Sequence, residues 1–464
     1  MKSVALHNLG CKVNAYEMDV MQQMLQEKGY TIVPFDETAD IYIVNTCTVT
    51  NIADRKSRQM LHQAKTRNPE AVVVAVGCYV QTGTQELLRE TCVDLAIGNN
   101  KKGEMVSLLE SFLKEREAGR SPEAIKGEGI IDINAGCEYE EMTLVRTAEH
   151  TRAYIKIQDG CNQFCTYCII PFARGRVRSR RLEDIRAEIE GLAKAGYKEI
   201  VLTGIHISSY GIDFADEEWE EGRSRKQKGE NGKTGYGGSQ KLSSLLERIH
   251  DIDGIERIRL GSLEPRIVTE AFVDRLRDLP KICPHFHLSL QSGCDETLKR
   301  MNRHYTTGEY LTCVELLRSA YVHPAITTDI ITGFPGETEE EFEATCAFLE
   351  KLGLFEMHVF PYSERKGTQA AGFSDKVPSK VRAARSSRLL EMKKRQSREF
   401  RSAYIGQEAE VLFEDGKEIG GRQYQIGHTR QYIRVAKCTE ERLSNRIVKG
   451  RITGFLNDEL MLME

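Results

Sequence analysis

The stretch Asp159-Gly160-Cys161-Asn162-Gln163-Phe164-Cys165-Thr166-Tyr167-Cys168 sets three cysteines at the spacing C-x-x-x-C-x-x-C. It follows Ala153-Tyr154-Ile155-Lys156-Ile157, an alternating apolar run that reads as a strand. A loop leaving a strand can gather three thiolates around one centre. An iron–sulfur cube has four irons and usually takes four cysteines, so three thiolates leave one iron open to a small molecule, as in catalytic zinc sites. A tetrahedral zinc site wants a fourth Cys or His at a suitable offset. None follows in residues 169–198, and His206 is the nearest candidate. A ferredoxin-like carrier wants a fourth cysteine per cluster and a shorter first gap.

Outward from this loop, strand and helix patterns alternate about six times over residues 152–361. After the strand that leads into the cysteines come Glu199–Leu202, Arg257–Leu260, Phe286–Leu290, Ile326–Ile331 and Met357–Phe360. The intervening helices, such as Leu182–Lys194 and Glu339–Lys351, carry apolar residues on one face. Six such units predict a partial (β/α)6 barrel with its site at the carboxyl ends of the strands, where the cysteine loop falls. Residues 213–240, hydrophilic and glycine-rich with the lone Trp219, interrupt the pattern and read as a mobile surface insertion.

Residues 1–113 read as a separate α/β unit, a doubly wound parallel sheet. Its strands Ser3–Leu9, Asp40–Val44 and Ala71–Val76 are followed by Cys11, Cys47 and Cys78. In an open parallel sheet, functional groups collect beyond the strands' carboxyl ends. Three distant cysteines can thus meet there as a second metal centre, although each alone also reads as a small buried apolar residue. Residues 114–146 read as a charged connector with little core of its own, and 147–378 as the barrel unit. Residues 379–403 form a basic helix whose commonest meaning is a solvated face. Residues 404–464 switch to short strands, Val411–Phe413, Gln431–Val435, Arg446–Val448 and Gly450–Leu456, and predict a small β-barrel.

Composition narrows the class. The chain has 464 residues, 40% apolar and 29% charged, as expected of a multidomain globular protein. No apolar run reaches membrane-span length, and no signal-peptide core opens the sequence. A cytoplasmic protein is therefore expected. Thirteen cysteines, an odd number in a long chain, point to metal or redox use rather than a disulfide scaffold. The net charge of −4 excludes a global nucleic-acid signal, so any RNA contact must be local. Arg174, Arg176 and Arg178, just past the cysteine loop, are candidates for phosphate contact. Their alternative is pairing with acids such as Glu183 and Asp184. Arg430 and Arg434 are the corresponding candidates in the terminal barrel, where a purely structural module is the alternative. Cys313 and Cys346 read as core, and Cys92, Cys137, Cys283, Cys294 and Cys438 lack partners at ligand spacing.

The cysteine spacing, with Tyr167 before the last cysteine, resembles the radical S-adenosylmethionine superfamily. Further stretches extend the resemblance nearly end to end: Leu202-Thr203-Gly204, Ser262-Leu263-Glu264-Pro265, Leu290-Gln291-Ser292-Gly293, Lys299-Arg300-Met301-Asn302-Arg303 and Gly333-Phe334-Pro335-Gly336-Glu337-Thr338. The whole chain resembles the methylthiotransferase family, and the insertion after Asp213 is its main departure. The resemblance implies two 4Fe-4S clusters, one on Cys161, Cys165 and Cys168 and an auxiliary one on Cys11, Cys47 and Cys78. It implies S-adenosylmethionine on the open iron, near Tyr167, Gly204 and Glu264. It also implies a terminal RNA-binding TRAM domain, a tRNA anticodon stem-loop as partner, and an electron donor such as flavodoxin or ferredoxin. Gly10-Cys11-Lys12-Val13-Asn14, Cys47-Thr48-Val49-Thr50-Asn51 and Pro171-Phe172-Ala173-Arg174-Gly175-Arg176 resemble the branch acting on threonylcarbamoyladenosine in tRNA. The same chemistry on isopentenyladenosine or a ribosomal protein, and a non-enzymatic iron–sulfur RNA-binding protein, stay open as alternatives.

Overall fold

The computed structural model describes residues 2–119, 125–145, 151–215 and 238–464. Most of the 213–240 stretch, with Trp219, lies outside the described residues. Near its start, Asp213 accepts hydrogen bonds from the Ser179 amide (2.8 Å) and hydroxyl (2.6 Å).

Strands β1 (Ser3–Asn8), β2 (Thr31–Val33), β3 (Ile41–Thr46), β4 (Val72–Gly77) and β5 (Leu95–Ile97) form one parallel sheet in the order β2-β1-β3-β4-β5. Every residue of β3 and β4 is buried, as expected of strands covered on both faces. The unbroken apolar run Ala71–Val76 foreshadows this burial. The connector expected to lack a core instead extends the sheet. Ala96 and Gly98 donate to the Lys126 and Gly129 carbonyls (2.8 Å each), and Ile133, Met142 and Leu144 are buried. Its pairing uses backbone groups, which leave no periodic side-chain signal.

The central unit has two four-stranded sheets. One is β7-β6-β8-β9, built from β6 (Arg152–Asp159), β7 (Arg178–Ser179), β8 (Glu199–Gly204) and β9 (Arg257–Leu260). The other is β10-β11-β12-β13, from β10 (Ser262–Leu263), β11 (His285–Leu288), β12 (Ala325–Thr332) and β13 (Glu356–Pro361). An isolated bridge from Ile258 to Ile282 joins their edges. The six principal strands thus follow one another in an open arc, with short β7 and β10 as additions that the pattern did not predict. Outer side chains such as Ile155, Ile200, Phe286 and Ile330 share one large core with the helices.

The helix Ser379–Ser402 keeps a solvated basic face, with Arg388, Arg395 and Arg398 about half exposed, and also pairs its basic residues with acids of the central unit. Arg385 pairs with Glu337 (2.7 Å) and Glu339 (2.9 Å), Lys393 with Glu356 (2.9 Å), and Arg388 and Arg395 with Glu343 and Glu350. Exposed pairs contribute about 0–1 kcal/mol each, so burial of Leu389 and Met392 is the firmer anchor. The chain then closes a five-stranded barrel in the order β14-β15-β16-β18-β17, from β14 (Glu408–Ile419), β15 (Arg422–Thr429), β16 (Arg434–Cys438), β17 (Ile447–Phe455) and β18 (Met461–Met463). Strands β15 and β18 were not expected. Gly420 and Gly421, both at positive φ (57° and 74°), make the β14–β15 turn, and exposed charges along the hairpin obscure its alternation.

Candidate active site

Cys11, Cys47 and Cys78 follow β1, β3 and β4, three adjacent strands of one parallel sheet. Gly10, at φ 108°, lets the first loop lie against the second: a Cβ there would come within 3.1 Å of the Cys47 sulfur. Gly77 (φ 97°) serves the same end, since a Cβ would meet the Asn45 side-chain oxygen at 2.6 Å. The Cys11 and Cys47 thiols each feel the charge of Cys78. Burial pushes Cys47 up to about 12, so as a free thiol it stays neutral at pH 7.

Cys161, Cys165 and Cys168 follow β6 on a loop that Gly160 initiates. Gly160 has φ 70°, and a Cβ would lie 1.8 Å from the Arg176 carbonyl oxygen. Gly160→Ala should therefore cost more than the roughly 1–2 kcal/mol of a left-handed alanine, and reduced iron uptake on reconstitution would report it. The loop is braced by the stretch Lys299–Arg303. Thr166 donates to the Met301 carbonyl (3.1 Å) and the Arg300 carbonyl (2.9 Å), and Asn302 donates to the Phe164 carbonyl (3.0 Å). Burial pushes Cys161 up to about 11 and Cys168 further, and each feels the charge of Cys165. Arg303, unassigned from sequence, donates to the Cys165 sulfur at 3.2 Å.

Arg174 links Cys78 to the strand that leads into the Cys161 loop. It is fully buried, donates to the Cys78 sulfur (3.3 Å), and binds Glu17 (2.8 and 2.9 Å), Asp159 (3.1 Å) and Asn14 (2.6 Å). Lys156 and Lys102 join it on Glu17, and Lys156 also reaches Asp159 at 2.7 Å. This corrects the expectation that Arg174 contacts phosphate. Arg178 is likewise buried, 3.8 Å from Asp159. Arg430 is also committed, donating to the carbonyls of Pro280 and Ile282 (2.9 Å for the latter). Arg434 is exposed and pairs with Glu459 at 3.0 Å. Arg176 is exposed, its guanidinium 4.4 Å from the Phe164 ring centre. Phe164 and Phe172 beside it are 36% and 47% exposed.

The donor chemistry fits iron–sulfur clusters. Cluster ligands are thiolates, and each triad has an arginine against one sulfur, Arg174 fully buried and Arg303 partly so. In the buried knot, Lys102, Lys156, Arg174 and Arg178 face the carboxylates of Glu17 and Asp159, while burial raises the pKa of nearby Glu140. That positive surplus suits an anionic group on Cys78 and its neighbours. For S-adenosylmethionine, Glu264 is buried, with one oxygen held by Arg266 (2.7 Å) and Oε2 without a hydrogen-bond partner. Its charge reaches Cys161, so an acceptor for an ammonium group stands near the cysteine loop. Gly204 ends β8, where a Cβ would crowd the Gln158 side-chain oxygen at 2.9 Å. Tyr167 packs edge-on against Phe334, their ring centres 6.3 Å apart. His206, the zinc alternative, is bonded to the Ser209 hydroxyl (2.6 Å) and pushed down to about 3 by burial.

Below the cluster loops, β11, β12 and β13 present His287, Asp329 and His358 on one face, with ligand atoms within 4.8 Å of one another. His287 is bonded to Thr327 (2.9 Å) and Asp329 (3.2 Å). Cys11, Lys12, His358 and Phe360 are all exposed to water.

Residues 155–349 match the model of the Radical SAM superfamily, and residues 3–98 match that of the Uncharacterized protein family UPF0004. Among solved structures, the radical S-adenosylmethionine methyltransferase TsrM from Kitasatospora setae aligns with a TM-score of 0.53. It covers 78% of this chain and 72% of its own at 16% identity, a likeness of fold alone. Fold, cysteine loop and family model together define a radical S-adenosylmethionine enzyme. Among curated proteins, the chain is 38% identical to "Threonylcarbamoyladenosine tRNA methylthiotransferase MtaB" of Bacillus subtilis (strain 168), covering 97% of this chain and 94% of the relative. It is 40% identical to the protein of the same name from Aquifex aeolicus (strain VF5), covering 88% and 92%. It is 32% identical to a "tRNA-2-methylthio-N(6)-dimethylallyladenosine synthase" of Acetivibrio thermocellus, covering 97% and 88%. The chain belongs to the radical S-adenosylmethionine tRNA methylthiotransferase family. Membership brings S-adenosylmethionine and [4Fe–4S] clusters as cofactors.

Proposed function

We propose that this chain methylthiolates C-2 of N(6)-threonylcarbamoyladenosine at position 37 of tRNA. Cys161, Cys165 and Cys168 hold the radical cluster, and Cys11, Cys47 and Cys78 the auxiliary one. The observation that carries this reading is Arg174, one buried side chain that ties the radical loop's own strand to Cys78. Two centres coupled through one side chain can act on a single base. When bound, the radical cluster supplies the electron that cleaves S-adenosylmethionine, and the auxiliary cluster holds the sulfur to be transferred. Radical chemistry suits the target because an unactivated aromatic C–H offers no handle to an acid or base.

The chain's own residues bind and orient. Glu264 takes the ammonium of S-adenosylmethionine, with Tyr167 and Gly204 lining the same pocket, and Arg303 and Arg174 stabilise the anionic sulfurs. Phe164, Phe172 and Arg176 form an aromatic and cationic rim on which a splayed anticodon-loop base can stack. The terminal barrel binds RNA as a TRAM domain, with Arg434 still accessible. A flavodoxin or ferredoxin supplies electrons in the cytoplasm. No helix among the described residues is long and apolar enough to cross a membrane.

The test is mass spectrometry of tRNA nucleosides from a deletion strain. Methylthio-threonylcarbamoyladenosine disappears if the reading is right; its persistence, with loss of the isopentenyl product instead, transfers the chain to the other branch. Within the enzyme, Cys47→Ala should stop methylthiolation while S-adenosylmethionine cleavage continues, read as deoxyadenosine without methylthio product. Loss of both would mean that the two centres cannot be separated.

A further inference from the structure

Lys12 follows a cluster ligand and begins the helix Lys12–Glu27, which packs against β6 and β8. Its side chain is accessible to water, and charges on three strands of the central unit reach it: Arg152 on β6, Glu199 on β8 and Arg259 on β9. Behind them stands the terminal barrel. Tyr432, held at φ 69°, lies under Arg152 (5.0 Å) and Arg259 (4.7 Å), and Arg259 donates to the carbonyls of Arg430 (2.9 Å) and Thr429 (3.4 Å). Lys12 therefore faces a recess closed by all three units.

That recess holds more positive charge than its acids neutralise. Glu199 is the acid whose attraction reaches Lys12, and Arg259 already grips both its oxygens (2.9 and 3.3 Å), with Arg257 at 3.8 Å. Arg152 is taken by Glu414 at 2.5 Å. Lys12 itself has no hydrogen-bond or ion-pair partner among the described residues. Beside it His285, 6% exposed, has a buried Nδ1 with no partner, and the charge of Lys12 reaches that ring. An unpaired, water-accessible ammonium and an unpaired buried ring nitrogen, next to a cluster ligand, are complementary to a carboxylate.

We propose that Lys12 is the specificity-determining residue of this enzyme: its ammonium receives the carboxylate of the threonylcarbamoyl side chain, with His285 Nδ1 as the second hydrogen-bonding group. This rests on the substrate reading above. The carboxylate is the one anionic group on the modified base, and an isopentenyl group offers nothing to Lys12. An enzyme built this way favours the acid because only a carboxylate gives the ammonium, set against the like charges of Arg152 and Arg259, a partner of opposite sign.

The test uses the full chain, reconstituted anaerobically, and three anticodon stem-loop RNAs carrying threonylcarbamoyladenosine, its carboxyl methyl ester, or adenosine. Binding is read by fluorescence anisotropy and product by mass spectrometry. Wild type should bind the acid about ten- to a hundredfold more tightly than the ester, the range of a charge-assisted hydrogen bond. Lys12→Gln should bind the two alike, and Lys12→Arg should restore part of the preference. Iron content and melting temperature of the variants confirm folding. If Lys12→Gln keeps the wild-type preference, or wild type makes product without distinguishing acid from ester, the assignment of Lys12 is overturned. If wild type makes no methylthio product on the acid-bearing RNA, the substrate reading itself fails, and Lys12 with it.

Discussion

Cys165→Ala should abolish both deoxyadenosine formation and methylthiolation, and iron bound after reconstitution should fall by about half, one four-iron cluster of two. Three thiolates are the fewest that hold a cube with one open iron, and the loop has no substitute. Alanine also removes the sulfur that receives Arg303 at 3.2 Å. That guanidinium is partly buried and positively charged, so the loop loses a ligand and leaves a cation without its sulfur partner. The auxiliary triad sits on another sheet and should still bind its iron. Iron and sulfide analysis with single-turnover cleavage assays decides the matter. Full iron content in the variant, or deoxyadenosine at the wild-type rate, would remove Cys161, Cys165 and Cys168 as the radical site.

Arg174→Met should be the most destabilising single change among the arginines near the cysteines, about 3–5 kcal/mol, the usual cost of removing one partner of a buried charge pair. Glu17 and Asp159 are 1% and 3% exposed and rely on Arg174, Lys156 and, for Glu17, Lys102. Despite burial, these cations hold both carboxyls below their ordinary range. The pH dependence follows with a definite sign. A carboxylate depressed in the folded state adds stability above its unfolded pKa of about 4, and that stability is lost as pH falls through the lower folded value. With Arg174 gone the depression shrinks. The melting-temperature gap between wild type and variant should therefore be largest near neutrality and narrow as pH falls below about 4. A gap unchanged with pH would mean that packing, not charge, is what Arg174 contributes.

Much of the candidate site is legible in the residues. The triple-cysteine loop, its strand and the strand-end positions of Cys11, Cys47 and Cys78 all follow from spacing and periodicity, which are local properties. Gly10, Gly77 and Gly160 stand beside those cysteines in the sequence, but their positive φ and close approach are properties of the folded chain. The arginines are not legible either. Arg174 and Arg176 are two residues apart in one basic run, yet one is wholly buried and the other exposed. The sign of a charge is in the sequence, but its desolvation and its partner come from chain far away. Glu17, which binds Arg174, lies 157 residues earlier, and Arg303, on the Cys165 sulfur, lies 138 residues later.

By itself, then, the sequence determined the two sets of cysteines, the parallel sheets that carry them and the family of chemistry. Ligand spacing and hydrophobic period are properties of neighbouring residues, and they survive without coordinates. Only the tertiary structure decided that Arg174 is a buried partner of Cys78, Glu17 and Asp159, that Arg430 docks the terminal barrel, and that Lys12 stands unpaired in a recess with walls from three units. Those outcomes depend on how much water is removed from each charge and on which acid arrives beside it. Both are set by packing between segments hundreds of residues apart, as when Lys12 and Tyr432 meet across Arg152 and Arg259.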